Sequence, residues 1–261
     1  MSMNVNDLFL SNHLLKNDSK MSGRLLGLCE KIISAGSKVQ NSAAKVAKLI
    51  FETNILGPIV FCTPEIGKWS TVGGLGVMVD ELSLELAKFG QTVIVISPYY
   101  EKNKNNKSGY LADDPAGFKY IDNISVLADR EYVIGVHEGV VGKVKQVFLH
   151  NSDIFPIPYV DTTPDNVIRQ IAVFGKACLE YCCAREIIPS VCVTNDWFTG
   201  FVAAYAKSCF GATFKGTTFL HICHNLAESY EGRIYPEPRH GNVERIHQLQ
   251  RDWLVDPTWS K

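Results

Sequence analysis

Residues 59–97 run as an apolar strand, a glycine loop, a helix and a second apolar strand, and few folds accommodate that order. Ile59–Cys62 is the first strand, four residues rich in β-branched and aromatic side chains. The loop contains Gly73-Gly74-Leu75-Gly76 and opens a helix over Gly76–Phe89, with Val79, Leu82, Leu86 and Phe89 at helical spacing. Val93–Ser97 is the second strand. A strand that feeds a helix through glycines leaves backbone N–H groups at the helix start, where an anion can sit. The glycines also fit a simpler role, a tight turn that only permits close packing. A dinucleotide fingerprint is a poor fit. It needs a third glycine where Val79 stands, and an acid after the second strand where Ser97-Pro98 follows.

The same alternation continues downstream. Pro164–Ala184 is a long helix, Val191–Thr194 a strand, Phe198–Lys207 a helix and Thr218–Ile222 a strand. Between the two halves, Tyr120–Ile124, Tyr132–Val136 and Val144–Leu149 are short strands joined by turns. The expected class is α/β: a Rossmann-like parallel sheet with helices on both faces and a small antiparallel β excursion. Three regions are expected. Residues 1–57 form a helical or flexible extension, with apolar positions from Leu25 to Ile50. Residues 58–236 form the main domain, and residues 237–261 a tail or the start of a further segment.

The chain of 261 residues is about half hydrophobic and carries a formal charge of −1, enough for a real core. That near-neutral charge argues against a nucleic-acid partner. No apolar run approaches the ~20 residues that span a bilayer, and the N-terminus lacks the pattern of a secretory signal. Asp7 and Asp18 weaken a transit-peptide reading, and a cytoplasmic or plastid compartment is expected. The eight cysteines fit a reducing compartment, with Cys62, Cys192 and Cys223 placed in core strands. Strand alternation puts His221 and His224 on opposite faces, so no metal site is expected. No cofactor is expected.

In parallel α/β sheets, ligands bind beyond the carboxyl ends of the strands. Three polar groups fall there: the glycine loop, Asn195-Asp196-Trp197, and His224-Asn225. Each also has a local reading. Asp196 fits a helix N-cap, His224 a core histidine and Asn225 a turn.

These segments resemble the bacterial glycogen synthase and plant starch synthase family. Trp69 to Gly76 resembles its Lys-x-Gly-Gly-Leu signature, Thr194 to Trp197 its Asp-Trp segment, and His224-Asn225-Leu226 with Tyr230-Glu231-Gly232 its His-Asn-Leu segment. The resemblance covers about Ile59 to Pro236. It implies the N-terminal half of a GT-B glucosyltransferase. Such enzymes move glucose from ADP-glucose or UDP-glucose to the non-reducing end of an α-1,4-glucan. With 25 residues after Pro236, it implies that the C-terminal nucleotide-binding domain is missing from this chain. By the match, Asp196 and His224 are the catalytic candidates and orient the glucose hydroxyls. Glu65, Thr71, Gly73, Gly74, Trp197 and Asn225 are the substrate-binding candidates. Thr71, Val77 and Phe198 stand where the family has a lysine, an aspartate and a histidine. These changes remove a cation, a carboxylate and an imidazole from the expected pocket. A non-catalytic α-glucan-binding or regulatory module derived from a synthase is the alternative.

Overall fold

The computed structural model describes residues 57–102, 117–159, 164–224 and 243–250. A seven-stranded sheet forms its centre, in the order β3-β4-β5-β2-β1-β6-β7. The strands are β1 (Ile59–Cys62), β2 (Val93–Tyr99), β3 (Lys119–Leu127), β4 (Glu131–Val141), β5 (Val144–His150), β6 (Val191–Asn195) and β7 (Thr218–Ile222). The helices are α1 (Gly67–Ser70), α2 (Gly74–Lys88), α3 (Pro164–Ala184), α4 (Asp196–Thr199), α5 (Val202–Cys209) and α6 (Val243–His247).

β1 is central because it has little to offer water. Val60, Phe61 and Cys62 are all buried, which a strand covered on both faces requires. It pairs in parallel with β2 on one side and with β6 on the other. β2 outlasts β1, whose last partner on β2 is Ile96. Pro98 therefore lies where β2 has one neighbour, β5, and a proline is tolerated there.

Two apolar layers flank the sheet. One contains Val79, Leu75 and Ala87 of α2 against Phe61, Val93, Val95 and Phe148. The other contains Phe174, Cys178 and Tyr181 of α3 against Val60, Ile96, Ile134 and Val147. Both faces of the sheet are covered by helices, as the alternating pattern implied. α3 approaches α5 closely at Gly175, where an added Cβ would lie 2.9 Å from the Tyr205 ring.

Several boundaries differ from the sequence expectation. The antiparallel excursion is the β3–β4 hairpin together with the β4–β5 pairing, since β5 itself joins β2 in parallel. α2 starts at Gly74, because Gly73 is already the extended cap. The helix expected over Phe198–Lys207 is two helices, α4 and α5, separated at Gly200 and Phe201. Within the expected tail, α6 packs on α3 and buries Ile246 and His247. Cys223 lies after the end of β7 and is exposed, not in a core strand. The expected extension lies outside the described residues but for Gly57, as does the Lys102–Asn106 loop but for Lys102.

Candidate functional site

The loop after β1 is organised from inside by Glu65. Its side chain is buried, at 1% exposure. Oε2 accepts the N–H groups of Val72 (2.8 Å) and Gly73 (2.9 Å). Oε1 accepts the hydroxyl of Tyr159. Two of the loop N–H groups, those of Val72 and Gly73, thus already hold the chain's own carboxylate, and the first-turn N–H groups of α2 are not among them. Both oxygens of Glu65 face the loop and Tyr159, so this candidate shapes the rim from behind.

Thr71 is exposed, but its hydroxyl donates to the carbonyl of Gly67. Gly76 must be glycine for that reason: an added Cβ would lie 2.2 Å from Thr71 Oγ1. Gly73 and Gly74 are different. Among the described residues an added Cβ at either meets nothing within 4 Å, and neither has a positive φ. Internal packing does not demand glycine there, so the bare backbone keeps space open on the outer side. Lys68, three residues upstream of Thr71, places its Nζ 5.2 Å from the Trp69 ring centroid.

The second group follows β6. Asn195 is fully buried and is the cap position of α4, without a side-chain cap bond. Asp196 is therefore the first helical residue and not the cap, which removes its local reading. It adopts φ 53°, a left-handed conformation in which aspartate is enriched and other β-carbon residues are rare. Its Oδ1 accepts the backbone N–H of His224 at 2.7 Å. Its Oδ2 is buried and has no hydrogen-bond partner among the described residues. A buried acceptor without a donor is costly, so its survival calls for an explanation.

His224 closes the rim after β7. It lies beyond the strand, so strand alternation does not set its side, and the side chain is exposed. Its Nε2 lies 2.9 Å from Asn195 Oδ1. Beneath it, His221 Nδ1 bonds Thr194 Oγ1 at 2.9 Å. Burial lowers the His221 pKa; the nearby Asp196 opposes that shift and His224 adds to it. Among the described residues no group of three His, Cys, Asp or Glu is arranged to hold a metal. Asn225 lies outside the described residues.

The three groups are physically joined. Asn195 Nδ2 donates to the carbonyl of Cys62 (3.3 Å), tying the end of β6 to the end of β1. Tyr159 bonds Glu65 and sets its ring 5.8 Å from that of Trp197. It too has a positive φ, 53°. Backbone strain of this kind costs ~1–3 kcal/mol per residue and concentrates at functional sites. Tyr159 and the bridging role of Asn195 escaped the sequence reading. Asn195 was visible beside Asp196, whereas nothing in the pattern around Tyr159 marks it.

Phe198 is fully buried, with its ring 5.5 Å from Phe174 and 5.6 Å from Trp197. In this chain the position faces the core. Val77 is half-exposed on the first turn of α2.

A mostly parallel sheet with helices on both faces, whose carboxyl-end rim gathers a glycine loop, a strained buried aspartate and a histidine, has the layout of a Rossmann-like domain. The chain belongs to the starch synthase catalytic domain family, whose model matches residues 58–253. Starch synthase 1 of Arabidopsis thaliana is 28% identical over 244 residues, 85% of this chain and 35% of that protein. A glycogen synthase of Elusimicrobium minutum is 30% identical over 186 residues, 68% of this chain and 36% of that protein. The chain thus spans about a third of the length of these relatives. The catalytic domain of starch synthase IV from Arabidopsis thaliana, solved bound to ADP and acarbose, shares the fold. Its TM-score is 0.54 at 22% identity, over 65% of this chain and 34% of that one.

Proposed function

We propose that this chain is the N-terminal half of a glycogen or starch synthase-type glucosyltransferase. It acts with a C-terminal GT-B domain supplied from outside residues 1–261. The reaction moves glucose from ADP-glucose or UDP-glucose to the non-reducing end of an α-1,4-glucan. The observation that carries this reading is the convergence of Gly73-Gly74, Asp196 and His224 on one rim, with a buried oxygen of Asp196 left unpaired among the described residues.

In this reading Asp196 Oδ2 accepts a sugar hydroxyl, and that contact satisfies the orphaned acceptor. His224 holds a second hydroxyl. Trp197, Thr71 and Asn225 border the same pocket. Departure of the nucleoside diphosphate places negative charge near the glycine loop, where the first-turn N–H groups of α2 meet it. The free thiols of the described residues suit a reducing compartment, the cytoplasm or a plastid.

The test joins this chain to a C-terminal domain of the family and follows radiolabelled glucose from each donor into glycogen. Transfer that falls at least tenfold in His224→Ala and in Asp196→Asn, with melting unchanged, supports the reading. No transfer from either donor overturns it. A non-catalytic α-glucan-binding module is the second reading. Thr71 supports it, because its hydroxyl is engaged by Gly67 and supplies no cation to the loop. That module binds maltoheptaose and transfers nothing.

A further inference from the structure

The hydrogen bonds around Asn195 fix more than its own position. The carbonyl of Cys62 can only accept, so the Asn195 atom facing it at 3.3 Å is the amide nitrogen, Nδ2. That choice orients the amide. Oδ1, an acceptor, is then the atom facing His224 Nε2 at 2.9 Å. The amide cannot flip without setting two acceptors against each other at Cys62. Asn195 is fully buried, and its backbone N–H is held by Thr199 Oγ1 at 2.6 Å. The amide is therefore rigid, and it needs a proton on His224 Nε2.

We propose that Asn195 is a positioning residue that holds His224 as its Nε2–H tautomer, leaving Nδ1 as the acceptor for a ligand hydroxyl. The inference rests on the functional reading above only for the identity of that ligand. A neutral imidazole carries one proton, so a proton on Nε2 leaves a lone pair on Nδ1. Among the described residues nothing bonds Nδ1, and the His224 side chain is exposed. Asp196 supplies the second constraint, because its Oδ1 grips the His224 backbone N–H at 2.7 Å. One residue pair thus sets both the ring and the backbone of His224. The unpaired Asp196 Oδ2 is likewise an acceptor. Two acceptors on one rim select a ligand that donates, a polyol or sugar, over one that only accepts, such as inorganic phosphate.

Long-range nitrogen-15 spectra of the histidine-labelled chain, in the neutral range above imidazole titration, read the tautomer directly. His224→Gln identifies the signals among the seven histidines. The expected result is a protonated Nε2 and a lone-pair Nδ1 at His224. A protonated Nδ1 overturns the inference. Asn195→Leu should release the ring to a mixture of tautomers, and an unchanged Nε2–H signal also overturns it. Should the leucine variant fold poorly, the tautomer of the unsubstituted chain decides, because it is read without any change at Asn195. In the chain joined to a C-terminal domain of the family, maltoheptaose and ADP-glucose should then shift the Nδ1 resonance, and phosphate should not. If neither sugar ligand does so while Nε2–H stands, the functional reading fails and the positioning role survives. If sugars bind and the ring is Nδ1–H, the positioning role alone fails.

Discussion

The α3 side of the sheet and the rim at the ends of β1, β6 and β7 hold their charged groups in different ways. Beside α3, Lys176 and Glu138 are matched. Lys176, 2% exposed, donates to Leu127 O (2.9 Å) and Gln248 Oε1 (2.6 Å). Gln248 in turn donates to Ala128 O (3.0 Å), so α6 is tied to the β3–β4 turn. Glu138 accepts from Tyr181 (2.8 Å) and pairs with Lys145 (2.7 Å) and Arg185. At the β1–β6–β7 rim, Asp196 keeps a buried oxygen unpaired on a left-handed backbone. Matched groups hold the fold together. An unmatched one on a strained backbone spends stability on something outside the fold.

The contrast predicts that matched residues fail by unfolding and rim residues fail by losing ligand. The largest effect belongs to Lys176→Ala. It leaves a cavity and strands two acceptors, and should cost about 3 kcal/mol in urea unfolding. A loss below about 1 kcal/mol would break the comparison, because the matched side would then be dispensable.

His247 offers a pH test on the same flank. Burial, with a smaller contribution from the nearby Lys176, lowers its pKa from 6.5 to about 4. The unfolded chain therefore binds more protons between those values, and stability falls as the pH drops through them. The full loss is about 3 kcal/mol by linkage, and His247→Phe should flatten it. An unaltered acid limb in that variant would place the proton uptake elsewhere.

Phe198→His should cost about 2 kcal/mol, since it buries a polar ring among aromatics. Restoring the imidazole found in the family should not raise transfer in the joined enzyme. A gain in transfer would mean that the side chain reaches the rim after all.

The smallest effects on stability sharpen the comparison from the other side. Asp196→Asn keeps a residue that tolerates a left-handed backbone and should change stability by under about 0.5 kcal/mol. Gly74→Ala should lie within about 0.5 kcal/mol too, because its Cβ meets none of the described residues within 4 Å. Both should still weaken binding of maltoheptaose or ADP-glucose at least tenfold by calorimetry. Unchanged affinity in both would return the rim to a purely structural role.

Much of the architecture could be read from periodicity. The runs at Ile59–Cys62, Val93–Ser97 and Val191–Thr194 became the adjacent parallel strands they implied. The three rim segments were visible because strand ends are easy to place. Their wiring was not. Glu65 takes the Val72 and Gly73 N–H groups through a turn whose shape no period encodes. Asn195 meets His224 because β6 lies beside β7, a fact of sheet order. The inward side of Phe198 was hidden because α4 is a single turn, too short to carry an amphipathic signal. α6 was hidden by its length of five residues.

The bond from Asn195 to the Cys62 carbonyl spans 133 positions of the chain. The β3–β4 hairpin closes over a handful of residues and can form as soon as it is made. The floor of the rim cannot. β1 must wait with one side unpaired until β6 arrives, and loop closure over that distance is slow. Folding of this domain should therefore finish at its ligand rim. A chain arrested early would carry a formed hairpin and an open β1 edge, the kind of surface that chaperones cover.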